Sequence, residues 1–296
     1  MGQLPTSFTD YKAEGHLWIT LAKGVYYPDY LQDACRLYTP YLEAFGQLIQ
    51  TSESSERLFA QIATVRDGTA RIQLARIFRK YVSPETPVEM LKKKTQAATI
   101  IAQFGAGFRP IQEVQKAFMS RSIPDEALSA VLWEHRDRGI KGYDQTEQFF
   151  NLFRQQFPRL TIAGPERAGA DIPMGRIFPD YPNPKRPIDF VIYNDEDLSN
   201  QEAVLAVGLA RYDSDRGGAQ EDDRIGGYRN CADEILTYAQ ANNLKVKVIF
   251  LNDGPGLLLG TMWDDYARLE QSWPGKIMVL TLRMVPARLT LDWLLS

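Results

Sequence analysis

A dense polar loop follows an apolar segment in the second half of the chain. The apolar segment covers residues 203–211, and the loop contains the pair Gly217-Gly218. A loop at the carboxyl end of a buried strand is where open α/β sheets place their ligands. Arginine and glutamine suit phosphates and base edges, and carboxylates suit a hard cation such as Mg²⁺. The loop and the residues next to it supply Arg211, Asp213, Asp215, Arg216, Gln220, Glu221 and Arg224 as candidates.

The same loop also has a purely structural interpretation. Its aspartates and arginines can pair with one another on a solvated surface, where each pair contributes only about 0–1 kcal/mol and needs no function. The pair Gly217-Gly218 is not followed by Gly-Lys-Ser/Thr, so it does not match the phosphate-binding loop of NTPases. The sequence therefore argues against a kinase or NTPase.

A second candidate is Asp189, which stands at the start of the apolar run 188–193. A carboxylate at that place costs free energy unless it is paired or binds a metal. Strand pairing can bring it close to the next apolar segment, where Gly208 follows 19 residues later. The structural alternative is an aspartate at a strand edge that accepts hydrogen bonds from a turn.

Composition narrows the classes of function. The 296 residues are 44% hydrophobic and 24% charged, which is typical of a globular protein. The net charge of −3 excludes a strongly basic nucleic-acid binder, although a local basic cleft still binds DNA. Two cysteines and two histidines argue against a disulfide framework and a His-rich metal site. Without a signal-peptide pattern or an apolar run of about 20 residues, we expect a cytoplasmic protein of a bacterial or archaeal cell.

The pattern of apolar residues changes near residue 158. The first half shows helical spacing, and the second half alternates apolar runs with one strong helix. We predict a helical N-terminal region over 1–140, with dimerisation or DNA contacts, and a core domain over 141–296. The expected fold is α/β (α+β), a mixed β-sheet flanked by helices. The predicted helices are 30–50, 55–81, 89–104, 111–119, 127–138 and 222–241, and the predicted strands are 188–193, 203–211, 245–251 and 276–282.

Three segments of the core resemble the PD-(D/E)xK nuclease superfamily. They are Pro187-Ile188-Asp189-Phe190, the approach to it over residues 164–172, and the preceding helix Tyr143–Phe150. The likeness is to type II restriction endonucleases, in particular the subgroup that cuts CCGG and CCNGG sites, and it covers about residues 140–255. It implies a nuclease core of restriction-endonuclease type.

The resemblance also implies roles for single residues. Family enzymes place an acid and a lysine on the second strand, and the subgroup displaces the acid to the next helix. Gly208 then takes the lysine's place, and Glu221, 13 residues on, is the displaced acid. Asp189 and Glu221 would ligate Mg²⁺, with Glu147 as a third acid from the preceding helix. Since Gly208 is not a lysine, three explanations stand open: an inactivated form, a lysine from elsewhere (Lys185 is nearest), or an alignment that is off by a few residues.

Three functions follow from these observations. The first is a Mg²⁺-dependent type II site-specific deoxyribonuclease acting on double-stranded DNA as a homodimer, because a palindromic site mirrors protein symmetry. The second is a sequence-specific DNA-binding protein on the same fold that does not cleave. The third is an enzyme acting on a small phosphorylated substrate, which predicts a closed pocket of ligand size.

Overall fold

The computed structural model describes residues 7–87, 94–164, 171–214 and 220–296, without the side chains of residues 94, 135–143 and 220–224. The helices are α1 (Gly15–Trp18), α2 (Leu31–Thr51), α3 (Ser55–Thr64), α4 (Gly68–Tyr81), α5 (Ala97–Phe104), α6 (Ile111–Met119), α7 (Glu126–Gln156), α8 (Met174–Ile177), α9 (Gln220–Ala241), α10 (Met262–Ser272), α11 (Val285–Arg288) and α12 (Leu291–Leu295). The strands are β1 (Thr161–Ala163), β2 (Ile172–Pro173), β3 (Pro187–Ile188), β4 (Phe190–Tyr193), β5 (Val204–Tyr212), β6 (Lys247–Asp253) and β7 (Ile277–Leu280).

The chain divides into two compact units. One is Gly24–Asp137, and the other joins Met1–Lys23 to Arg138–Ser296. Residues before 24 belong with the sheet because Phe8 is buried there, stacked on Trp263 with ring centroids 4.5 Å apart. The predicted division lay at 140/141 and kept the first residues in the helical region. The division in the structure falls at 137/138, inside α7.

The unit Gly24–Asp137 is built from helices around its own aromatic core. Phe59, Phe78 and Phe108 pack together with ring centroids 4.9–5.8 Å apart. The prediction of one helix over 55–81 was wrong in one respect, because the chain breaks at residues 65–67 into α3 and α4. The reason is a cap: the carboxylate of Asp67 accepts hydrogen bonds from the N–H groups of Thr69 and Ala70 and so begins α4.

The other unit contains a five-stranded mixed sheet in the order β1-β4-β5-β6-β7. β4 pairs antiparallel with β1 and β5, whereas β5, β6 and β7 run parallel. A second, two-stranded sheet pairs β2 with β3. The predicted fold class is confirmed: the fold is a mixed α+β arrangement with a helical N-terminal region.

The two faces of the sheet are covered by different helices. Phe190 of β4 packs on Phe149 of α7, with ring centroids 4.9 Å apart, and Phe190 lies opposite Gly208 in the register. On the other face, Phe250 of β6 packs on Tyr228 of α9, with ring centroids 4.9 Å apart. Because side chains alternate along a strand, odd-numbered residues of β5 around position 209 face α9 and even-numbered residues face α7.

Among the described residues, no helix combines the length and the apolar character needed to cross a membrane.

Candidate functional site

Asp189 interrupts the strand that contains it, and this bend directs its carboxylate to the neighbouring strand. It lies between β3 and β4, and its N–H donates to the carbonyl of Gly208 at 2.9 Å. Its Oδ2 accepts the N–H of Ala210 at 2.7 Å. The side chain is partly buried. One backbone N–H of β5 thus supplies part of the pairing that the sequence predicts for Asp189.

A second carboxylate, that of the exposed Asp171, lies within electrostatic reach of Asp189. Asp171 directly precedes β2 and Asp189 directly follows β3, and Ile172 pairs with Ile188. Continuing this register by one residue places Asp171 opposite Asp189, where side chains of paired strands come within contact distance. Burial, together with the negative charge of Asp171, raises the pKa of Asp189 to about 6, against the hydrogen bond from Ala210. Two carboxylates that share a site in this way suit a divalent cation.

Gly208 does not occupy the place that the sequence interpretation gave it. It pairs with Phe190, so it faces α7, and a Cβ built at position 208 would overlap the ring of Phe190. A lysine at this position would be directed into the aromatic contact and away from Asp189. The prediction that Gly208 holds the lysine's position is therefore wrong, and the α9 face of β5 presents Val207, Leu209 and Arg211 instead.

Arg211 supplies the cationic side chain on that face. Its Nε donates to Oδ1 of Asp213 at 2.9 Å, and its side chain is about one-third exposed. Asp213 is only 3% exposed, so its carboxylate orients Arg211 and offers little surface to DNA. This differs from the prediction that Asp213 contacts DNA. Arg211 keeps enough exposure to reach a phosphate.

A buried amide lies beside Arg211 on the adjacent parallel strand. Asn252 pairs with Arg211 in the register and is fully buried, and neither atom of its amide has a hydrogen-bond partner among the described side chains and backbone. We call Asp171, Asp189, Arg211 and Asn252 the polar edge. These residues lie where β4 begins and where β5 and β6 end. A buried amide left unpaired costs about 1–3 kcal/mol, so Asn252 calls for a hydrogen-bond partner at this edge.

Tyr228 of α9 lies over the polar edge. Burial raises its pKa to about 12, against the positive charge of Arg211, and the negative charges of Asp213 and Asp189 contribute to the rise. The three charged groups are therefore all within electrostatic reach of one phenol. A phenol held neutral in this way can donate a hydrogen bond to an anion.

An ion pair ties α9 to the strand pair that positions Asp189. Arg186, just before β3, donates to Oε2 of Glu234 on α9. Burial of Glu234 is outweighed by hydrogen bonds from Arg186 and Tyr181, so the pKa of Glu234 is lowered. Lys185, the lysine nearest to Asp189 in sequence, is exposed, and no described contact joins it to Asp189.

Glu147 lies on the other face of the sheet. It lines a cavity of about 360 Å³ together with Tyr212, which directly follows Arg211 on β5 and so faces the other way. Its place on the face opposite Asp189 argues against the predicted role of Glu147 as a third metal ligand.

The remaining predicted residues fall in the part of the chain that is not described. Asp215 and Arg216 lie outside the described residues, and Gln220, Glu221 and Arg224 are described only as backbone of the first turns of α9. Their predicted roles stay predictions. Within the described side chains, no three His, Cys, Asp or Glu residues come together in a way that could hold a metal ion.

Sequence reasoning missed Asp171, Tyr228 and Asn252. Asp171 lies in the segment before the first core strand that the resemblance singled out, but a two-residue strand such as β2 leaves no periodic signal. Asn252 stands at the end of an apolar run, just as Asp189 stands at the start of one, and the same rule on buried polar groups would have found it.

A scan against models of protein families and searches of curated proteins and of solved structures found no match to this chain.

Proposed function

We propose that this protein hydrolyses phosphodiester bonds of double-stranded DNA with the help of Mg²⁺, at the polar edge. The observation that carries the proposal is the pair Asp171 and Asp189, which flank the paired residues of β2 and β3, with the pKa of Asp189 raised to about 6 by burial and by the charge of Asp171. The resemblance to type II restriction endonucleases gives the reaction class.

The carboxylates of Asp189 and Asp171 would hold the cation, with Glu221 as the third acid. The donor set fits, because Mg²⁺ prefers carboxylate oxygens and because a divalent cation relieves the repulsion between the two aspartates. When bound, the cation lowers the pKa of a water molecule and polarises the scissile phosphate. The N–H of Ala210 fixes one oxygen of Asp189 and leaves the other for the metal.

Arg211 takes the cationic role that the family gives to a lysine. A guanidinium stays protonated at any physiological pH, so it binds the phosphate and stabilises its developing charge but removes no proton from water. Asp213 holds the guanidinium in orientation, and the hydroxyl of Tyr228, which lies within electrostatic reach of Arg211, would donate to a phosphate oxygen. Arg216, Gln220 and Arg224 would contact the bases and the backbone of DNA.

One observation favours the alternative, a sequence-specific DNA-binding protein that does not cleave. The α9 face of β5 carries Leu209 and Arg211 where an active family member carries its acid and its lysine. Such a protein would keep the arginine contacts and lose the chemistry. Cleavage separates the two functions.

The small-molecule enzyme is the weaker candidate. It needs an enclosed pocket at Asp189, and the cavity of about 360 Å³ is lined from the opposite face of the sheet by Tyr212 and Glu147.

The expected partners are double-stranded DNA and a second copy of the chain, since a palindromic site calls for a symmetric dimer. We place the protein in the cytoplasm of a bacterial or archaeal cell, where its two cysteines, which are both free, stay reduced.

The test is binding and cleavage of a mixed-sequence duplex library, first in Ca²⁺ and then in Mg²⁺. Asp189→Asn is compared with Asp180→Asn, a matched change at an exposed position. We expect sequence-selective binding in Ca²⁺ and cleavage in Mg²⁺ by the unchanged chain and by Asp180→Asn, with cleavage lost in Asp189→Asn. Selective binding without cleavage would support the non-cleaving alternative. Absence of duplex binding at moderate salt would contradict both.

A further inference from the structure

The cavity on the α7 face of the sheet contains a buried side chain whose polar atoms have no partner among the described residues. Gln145 is 3% exposed, it lines the cavity of about 360 Å³, and neither its Oε1 nor its Nε2 has a hydrogen-bond partner within the part of the chain that the structure describes. Leaving such an amide unpaired costs about 1–3 kcal/mol, and a leucine of similar size would avoid that cost. The amide therefore indicates a ligand that offers a donor and an acceptor side by side.

The walls of the cavity are fixed by hydrogen bonds. The N–H of Ala22 donates to the hydroxyl of Tyr212 at 2.7 Å, and the N–H of Thr20 donates to Oδ1 of Asp253 at 2.6 Å. The segment over Thr20–Lys23 is thus held against the ends of β5 and β6. With Tyr212 and Leu282 in the wall, the cavity offers flat aromatic and apolar surface beside the amide. This surface suits a planar ring.

The charges around the cavity select against anions. Asp144 and Glu147 contribute two carboxylates and Lys23 one ammonium group. A phosphate would meet net negative charge, whereas amino groups would find acceptors. Among planar rings, adenine and cytosine combine an exocyclic amino donor with an adjacent ring-nitrogen acceptor, which is the pattern that a glutamine amide binds in a bidentate way.

We propose that this cavity binds an amino-bearing nucleobase, adenine or cytosine, with its hydrogen-bonding edge on Gln145. The ligand's amino group donates to the amide oxygen, its ring nitrogen accepts from the amide nitrogen, and its ring lies against Tyr212. The proposal does not depend on cation binding or cleavage at the polar edge. The base can come from a free nucleoside or from a strand of DNA.

The test is calorimetric titration of the full chain with adenosine, cytidine and thymidine, and separately with an oligodeoxyadenylate and an abasic strand of equal length. We expect saturable binding of adenosine or cytidine at least about tenfold tighter than that of thymidine. If the base comes from DNA, we expect the oligodeoxyadenylate to bind, whereas the abasic strand and the free nucleosides do not. No base-dependent binding in either arm would overturn the proposal.

Two variants and a control make the result specific. Gln145→Leu should weaken base binding at least about tenfold, which is 1.4 kcal/mol, without lowering the melting temperature. Glu147→Gln changes an exposed side chain and should narrow the preference for adenosine over thymidine. Gln155→Leu, at an exposed position of the same helix, should leave binding unchanged.

Unchanged base binding in Gln145→Leu, or unchanged base preference in Glu147→Gln, would contradict the proposed mode of binding. Because neither variant alters Asp189 or Asp171, loss of base binding with cleavage intact separates this site from the polar edge.

Discussion

The ring of Phe190 fills the space that a side chain at position 208 would need. The two residues lie opposite each other on β4 and β5, so a Cβ on Gly208 would overlap the ring. Glycine at 208 is thus required by packing on the α7 face. The relationship also explains why the search for a family lysine at this position fails.

We therefore predict that Gly208→Ala lowers the free energy of unfolding by about 1–3 kcal/mol, the usual cost of overpacking a core. Combining it with Phe190→Ala, which opens the space, should cost less than the sum of the two single changes. Urea unfolding measures all three variants. Gly227→Ala is the control, because it lies in α9 with open space around it and should be neutral or stabilising. A Gly208→Ala variant as stable as the unchanged chain would contradict the packing.

The pKa of Asp189 predicts how cation binding depends on pH. Burial and the charge of Asp171 raise this pKa from 3.8 to about 6, so the carboxylate is ionised above pH 6 and protonated below it. Since the cation needs the ionised form, affinity for Mn²⁺ should fall about tenfold for each pH unit below 6. Carboxyl-carbon NMR of the metal-free protein gives the midpoint directly.

Asp171→Asn provides the check on the cause of that shift. It removes the neighbouring negative charge, so the midpoint of Asp189 should move to lower pH. A midpoint near 4 in the unchanged chain, or one that Asp171→Asn does not move, would speak against two facing carboxylates.

The carboxylate of Asp253 has a structural role, so we expect its replacement to lower the free energy of unfolding. Its buried carboxylate accepts three backbone N–H groups, from Thr20 and Gly254 at Oδ1 and from Leu282 at Oδ2, over 2.6–2.9 Å. In Asp253→Asn the new NH₂ group must face at least one of these donors. We expect a loss of about 1–3 kcal/mol and faster hydrogen exchange at Thr20. Asp180→Asn serves as the control, and slow exchange at Thr20 in Asp253→Asn would count against the role of this carboxylate.

Because of Lys247, we expect the free energy of unfolding to increase at alkaline pH. Burial, with Lys276 and Lys245 nearby, lowers its pKa from 10.5 to about 8, although its ammonium group contacts the carbonyl of Trp293 and the hydroxyl of Ser296. The unfolded chain binds the proton more tightly than the folded chain, so stability should rise between pH 8 and 10.5. Urea unfolding of the unchanged chain and of Lys247→Met over this range isolates the effect. Parallel pH profiles for the two proteins would refute it.

The strands β4 to β7 were predictable from sequence, whereas β1 and the relation between the strands were not. Runs such as 188–193 and 245–251 are mostly apolar, interrupted by Asp189 in the first and by Lys245 and Lys247 in the second, and buried strands of this kind are visible without alignment. The face on which Gly208 lies depends on the register with Phe190, and a one-residue difference moves every side chain to the other face. The sequence carries no direct sign of that register. This is why Asp189 was identified and its partner on β5 was misplaced.

The lengths of the helices also depend on tertiary contacts that the sequence does not show directly. The helix predicted over 127–138 and the helix Tyr143–Phe150 that the resemblance implied are parts of one helix, α7, which continues to Gln156 because Phe149 and Phe153 of its second half are fully buried. Packing of that aromatic face outweighs the cost of about 1 kcal/mol for a glycine within a helix. Glu147 was expected on a helix and lies on one, but the face of the sheet against which that helix packs depends on tertiary contacts that local propensity does not reveal.

The most direct test of the polar edge is calorimetric titration of the full chain with Mn²⁺ at pH 7.5, for the unchanged protein, Asp189→Asn, Asp171→Asn and Asp180→Asn. We expect saturable binding of Mn²⁺ that weakens at least about tenfold in both Asp189→Asn and Asp171→Asn and is unchanged in Asp180→Asn. Equal affinity of the unchanged protein and Asp189→Asn would contradict the central claim that these two aspartates hold the catalytic cation.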